Sequence, residues 1–150
     1  MESNVLAKIL VVEDNALNIK LFCDLLTAHG HDAEAVTDSR EAHDAARAFQ
    51  PDLVITDIQL PHISGLELIE LLKADPDLAH VPIMAVTAYA ASGDEERFRA
   101  AGAQAYVSKP ISVVRFVESV SDLLESAGVQ AVSARVDGPD DDASAQEPPT

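Results

Sequence analysis

Apolar residues gather in five short runs along the chain, at positions 9–12, 33–36, 53–55, 83–86 and 105–107. Three are continuously apolar and rich in Val or Ile, as strands covered on both faces require. The second run is mixed and suits a sheet edge. Between the runs, apolar positions follow helical spacing. Leu17, Leu21 and Leu25, with Phe22 and Leu26, predict one stripe; Ile63, Leu66 and Ile69, with Leu68 and Leu72, predict a second; Phe116, Val120, Leu123 and Leu124 predict a third. Asn15, Ser39 and Ser112 are placed to cap helix N-termini, and Gly30 and Gly102 to end helices in left-handed backbone. Strict alternation of strand and helix predicts an α/β fold, a (βα)5 parallel sheet with right-handed crossovers. The common order for such a five-stranded, doubly wound, flavodoxin-like sheet is 2-1-3-4-5.

The composition refines this to one core. With 150 residues, 47% of them hydrophobic, one domain is expected over 1–126. Residues 127–150 turn to Gly, Ala, Ser, Asp and Pro without an aromatic side chain, and predict a disordered acidic tail. A formal charge of -16, from 26 acidic and 10 basic side chains, argues against nucleic acid or anionic lipid as a partner, because both need clustered Lys and Arg. Cys23 is the single cysteine and has no internal disulfide partner, and the N-terminus lacks a basic flank and cleavage site. No apolar run nears the roughly 20 residues that span a bilayer. A cytoplasmic protein without membrane insertion is expected.

The chemistry lies where the strands stop. Val11-Val12 runs into Glu13-Asp14, Ile55-Thr56 into Asp57, Val86 into Thr87, and Val107-Ser108 into Lys109. Open α/β sheets bind ligands at the carboxyl ends of their strands, at the point where strand order reverses, here between the first and third strands. Glu13, Asp14 and Asp57 would meet there. Carboxylates so crowded must raise a pKa or recruit a cation, and Mg²⁺, which takes oxygen ligands and is typically held by one or two carboxylates plus a phosphate, suits them. A remaining carboxylate can accept a phosphoryl group, with Lys109 and Thr87 supplying charge and an adjustable donor.

Taken together, Glu13-Asp14, Asp57 followed by Pro61 and Gly65, Thr87-Ala88, and Lys109-Pro110 resemble the receiver domain of two-component response regulators, over residues 8–125. The resemblance implies Asp57 as phosphoacceptor. It also implies Glu13, Asp14, Asp57 and the Gln59 main-chain carbonyl as Mg²⁺ ligands, Thr87 and Tyr106 as switch residues, and Lys109 as the phosphoryl-binding cation. Gln59 and Tyr89 would tune hydrolysis, and the Lys109–Pro110 bond would be cis. The phrases VEDNALNIKLF, DIQLPHISGLE, TAYA and SKPIS are similar to stand-alone receivers of bacterial cell-division and polarity control. The implied partners are a histidine kinase or histidine phosphotransfer protein as donor, and target proteins contacting the face of the fourth helix, fifth strand and fifth helix.

Each piece alone has a plainer reading: acids at strand ends are often solvated, Asp57 could cap a turn, and Lys109 before Pro110 could be a surface residue. Their joint occurrence on four strand ends is what favours the site. The five histidines show no metal-ligand spacing and read mostly as surface residues, and Cys23 reads as a small hydrophobe. A haloacid-dehalogenase-type phosphatase would carry a second acid at position 59, where Gln59 stands. A flavin-binding relative would need a phosphate-cradling loop where Glu13-Asp14-Asn15 stands. The expected protein is therefore not an enzyme beyond its own phosphorylation and dephosphorylation, and signals by contact. A passive phosphorelay shuttle is the alternative.

Overall fold

A computed structural model describes residues 7–87, 94–109 and 111–126. The predicted tail at 127–150, Tyr89 and Pro110 lie outside the described residues. The strands are β1 (Lys8–Val12), β2 (Asp32–Val36), β3 (Leu53–Asp57), β4 (Ile83–Thr87) and β5 (Ala105–Ser108). They alternate with helices α1 (Ala16–Ala28), α2 (Ala42–Phe49), α3 (Gly65–Ala74), α4 (Asp94–Ala101) and α5 (Val113–Ser126). All the strand pairs are parallel, in the order β2-β1-β3-β4-β5. The expected fold and order are both borne out.

Side chains alternate across a strand, so each run of apolar residues feeds two cores. Leu10, Val12, Val54, Ile83 and Ala85 face α2, α3 and α4, against Ala42, Ala46, Leu68, Ile69, Leu72 and Phe98. Ile9, Val11, Leu53, Ile55, Met84 and Val86 face α1 and α5, against Phe22, Leu26, Phe116 and Val120. Phe22 and Phe116 stack with ring centroids 5.2 Å apart and tie these two helices together.

Asn15 caps α1 by accepting the Asn18 N–H, and Ser112 accepts the Arg115 N–H at the start of α5. Gly30 and Gly102 take φ values of 90° and 126° after α1 and α4, as expected. Two expectations are corrected. Ser39 is not an N-cap: Asp38 caps the 3-10 turn Ser39–Glu41 that precedes α2, and Ser39 itself is buried. The stripe on α1 is also narrower than predicted. Phe22 and Leu26 are buried, whereas Leu17 is 79% exposed and Leu21 38%. Only part of a wide apolar arc can meet a sheet and a single neighbouring helix. Among the histidines, His31 is buried, and His43 bonds Asp75 at 2.8 Å.

A candidate phosphoacceptor site at the carboxyl edge of the sheet

Parallel strands end at one edge, and the first chemical residue of the chain follows β1 there. Glu13 donates its N–H to the Val36 carbonyl, joining the ends of β1 and β2, and its side chain is 1% exposed. Its Oε2 accepts the Asn15 N–H at 3.1 Å. Its Oε1 is buried without a hydrogen bond, 3.6 Å from the Lys109 ammonium. Asp14, the next residue, is exposed at the rim.

Asp57 ends β3 and is almost fully buried, paired across the ladder with Val86. Its Oδ1 accepts the Gln59 N–H at 3.1 Å, and its Oδ2 accepts from Lys109 Nζ at 2.9 Å. Lys109 follows β5 and is aligned by its own N–H, which donates to the Thr87 carbonyl at 2.7 Å. Thr87 ends β4, fully buried, and its hydroxyl donates toward Gln59 Oε1 at 3.4 Å. Downstream, α3 is started by a capping box between Ser64 and Glu67. Gly65 is needed beside it: a β-carbon there would lie 2.2 Å from the Asp57 carbonyl oxygen and 2.6 Å from Ile58 Cα. This close approach presses the start of α3 against the phosphoacceptor candidate.

One carboxylate oxygen each from Glu13, Asp14 and Asp57 lie within 4.8 Å of one another. Burial pushes the Glu13 carboxyl up from its ordinary value, and the charge of Asp57 pushes it further, against the Asn15 N–H and Lys109. For Lys109, burial pulls the ammonium down, but the hydrogen bond and charge of Asp57, with Glu13 behind them, outweigh it and the net shift is upward. Among the described residues, three carboxylates gather here, and Glu13 and Asp57 lie within 3.6 Å of the Lys109 ammonium, which leaves an excess of negative charge. An all-oxygen donor set, with the orphaned Glu13 Oε1 inside it, fits a hard divalent cation.

Glu13, Asp14, Asp57, Gln59, Thr87 and Lys109, singled out in the sequence, therefore share one pocket. Tyr106 stands apart from them. It packs on Phe98 of α4 with ring centroids 5.8 Å apart and lines a groove of about 570 Å³ between β5 and α5, with Ser112, Arg115, Glu118 and Asp122. Sequence reasoning took Ser39 for a helix cap and missed its contact here: its hydroxyl donates to the Pro61 carbonyl in the loop after Asp57. Its partner is 22 residues away, and no local pattern marks such a contact.

A doubly wound sheet with an acid-lined pocket at its switch point and a lysine reaching the central aspartate defines a class of protein, and residues 9–121 match the response regulator receiver domain. The chain belongs to that family. It is 51% identical over 119 residues to the polar-differentiation response regulator DivK of Brucella anthropi, covering 79% of this chain and 97% of that one. The narrower resemblance to polarity-control receivers is borne out by that similarity. The receiver domain of a signal transduction histidine kinase from Syntrophus aciditrophicus superposes with a TM-score of 0.75 at 31% identity, covering 83% of this chain and 92% of that one. The receiver domain of a Pseudomonas aeruginosa sensor histidine kinase, whose structure has a magnesium ion coordinated in the active-site cleft, gives 0.73 at 28%, covering 79% and 98%. Among the described residues, no helix is long and apolar enough to cross a membrane.

Proposed function

We propose that the chain is a response regulator that accepts a phosphoryl group on Asp57 from a histidine kinase or histidine phosphotransfer protein. The observation that carries this reading is the buried Asp57 carboxylate, held at one oxygen by the Gln59 N–H and at the other by Lys109. A carboxylate fixed in this way is oriented as a nucleophile, and phosphoryl transfer depends mostly on positioning and charge neutralisation. An Asp57 oxygen forms the bond to phosphorus as the bond to the donor's histidine nitrogen breaks. Lys109 then neutralises charge on the phosphoryl oxygens, and the Thr87 hydroxyl leaves Gln59 to donate to one of them.

Glu13, Asp14, Asp57 and the Gln59 main-chain carbonyl would hold Mg²⁺, Glu13 through a water. Bound there, the ion offsets the excess carboxylate charge and stabilises the transferring phosphoryl group. Similarity to a receiver whose structure coordinates magnesium in its cleft supports this assignment. Gln59 offers no acidic proton at the position where a phosphatase of this chemistry carries its general acid, so we read the chain as a phosphoacceptor that turns over only its own phosphoryl group. Tyr89 and Gln59 are assigned to the control of its lifetime.

The output follows from the same contacts. Movement of Thr87 toward a phosphoryl group frees space at the end of β4, and Tyr106 on the neighbouring strand re-packs against Phe98, changing the α4–β5–α5 face that target proteins read. Similarity to the polar-differentiation response regulator DivK supports a role in cell polarity, and we read the chain as acting in the cytoplasm, in polarity and division control. The test is intact-mass analysis after incubation with acetyl phosphate, with and without Mg²⁺, on wild type and Asp57→Asn. One added phosphoryl group that needs both Mg²⁺ and Asp57 is expected. An adduct independent of either removes the reading.

A further inference from the structure

Ser39 lies outside the carboxylate pocket yet holds the loop that leaves it. It opens the 3-10 turn after β2, and this turn is rigidly built: the Asp38 carboxylate accepts the Arg40 N–H, and the Ser39 carbonyl accepts the Ala42 N–H. The residue is 2% exposed. From that anchor its hydroxyl donates to the Pro61 carbonyl at 2.7 Å and accepts the Ile63 N–H at 3.1 Å. Between those two partners stands His62, with φ 70°, a left-handed conformation that a β-carbon disfavours. One hydroxyl thus brackets the strained residue from both sides.

The bracketed loop has little slack. It begins at Asp57, whose Oδ1 accepts the Gln59 N–H, and closes on the Ile58 carbonyl, which accepts the N–H groups of both Leu60 and Gly65. Its far end is pinned where Gly65 meets the Asp57 carbonyl without room for a β-carbon. A change at 61–63 is therefore passed to Gln59, two residues upstream of Pro61. We propose that Ser39 is a positioning residue that holds the loop from Asp57 to Gly65 in register and so sets how tightly the pocket binds Mg²⁺ before phosphorylation. This rests on the assignment of the Asp57 carboxylate and the Gln59 carbonyl as Mg²⁺ ligands. Groups that orient metal ligands from outside the coordination shell commonly matter about tenfold or more for affinity.

The experiment compares the full chain with Ser39→Ala by Mg²⁺ titration followed in backbone amide NMR shifts, without a phosphodonor. Ile63 amide exchange and the phosphorylation rate from acetyl phosphate at saturating Mg²⁺ are read in parallel. Expected for Ser39→Ala are Mg²⁺ affinity weakened about tenfold, faster Ile63 exchange, and a maximal rate within about twofold of wild type. Unchanged Mg²⁺ affinity with faster Ile63 exchange overturns the proposal, since the hydroxyl then only satisfies buried backbone groups. If Ser39→Ala does not fold, Ser39→Cys, of similar volume but a weak donor, is judged by the same criteria. Wild type that binds Mg²⁺ but takes no phosphoryl group on Asp57 sinks the proposed function while the affinity comparison still decides the role of Ser39. Wild type that binds no Mg²⁺ overturns both.

Discussion

Lys109 donates to Asp57 across the end of an intervening strand. The two follow or end β5 and β3, and β4 lies between them, yet the ammonium is 2.9 Å from Asp57 Oδ2. The bond from the Lys109 N–H to the Thr87 carbonyl turns the chain so that the side chain passes over β4 toward the acids. Removing this cation should have opposite effects on metal and phosphoryl group. Lys109→Gln leaves a more negative pocket, so Mg²⁺ affinity in the NMR titration holds or rises. The rate of phosphorylation by acetyl phosphate falls about a hundredfold, the scale on which loss of one preorganised charge-stabilising donor is felt.

Glu13 is a second test of the same electrostatics. Its folded-state pKa is raised, so the folded protein binds this proton more tightly than the unfolded chain, and metal-free stability falls as pH climbs from about 4.5 through the folded value. Metal-free Glu13→Gln should therefore melt above wild type at pH 7 in the presence of a chelator. Added Mg²⁺ should raise the wild-type melting temperature and raise that of Glu13→Gln by much less.

Gly65 has no room for a side chain. Both of the nearest obstacles to a β-carbon, the Asp57 carbonyl oxygen and Ile58 Cα, are backbone atoms that cannot turn aside. Gly65→Ala is expected to lose about 2 kcal/mol in urea unfolding, typical of overpacking, and to be phosphorylated more slowly because the Asp57 peptide must shift.

The two apolar groups on α1 should behave differently. Phe22 is buried and stacked on Phe116, so Phe22→Ala should cost about 3–5 kcal/mol. Leu17, 79% exposed, should cost no more than about 0.5 kcal/mol when replaced by Ala. Chemical denaturation of the two variants checks the contrast directly.

Part of the acid sensitivity should arise outside the carboxylate pocket, at Asp75. Asp75, after α3, accepts the Asp77 N–H and bonds His43 and Arg47 of α2, and these partners hold its carboxyl down to about 2. A depressed carboxyl contributes stability that is complete above its unfolded value of about 3.8 and lost as pH falls toward 2. Melting temperatures of wild type should drop through that window, and Asp75→Asn should start lower and show a shallower decline.

Much of the carboxylate pocket could be read from local pattern. An apolar run that stops at an acid, a threonine or a lysine marks a strand end without any knowledge of the fold, and parallel topology brings such ends to one edge. Glu13, Asp57, Thr87 and Lys109 were legible for that reason. Leu17 and Leu21 were misread because helical periodicity defines an arc and not the neighbours that cover it. The Ser39–Pro61 and His43–Asp75 bonds were invisible, since the partners lie 22 and 32 residues apart.

From its order of residues alone, the chain could be read as a five-stranded doubly wound sheet with acids, a hydroxyl and a lysine at one edge, because period and strand-end chemistry are short-range properties. The crossing of Lys109 over β4, the bracketing of His62 by Ser39 and the orphaned Glu13 oxygen had to await three dimensions. Each depends on distances between side chains on different elements, which packing of the two cores sets and no neighbouring residue encodes.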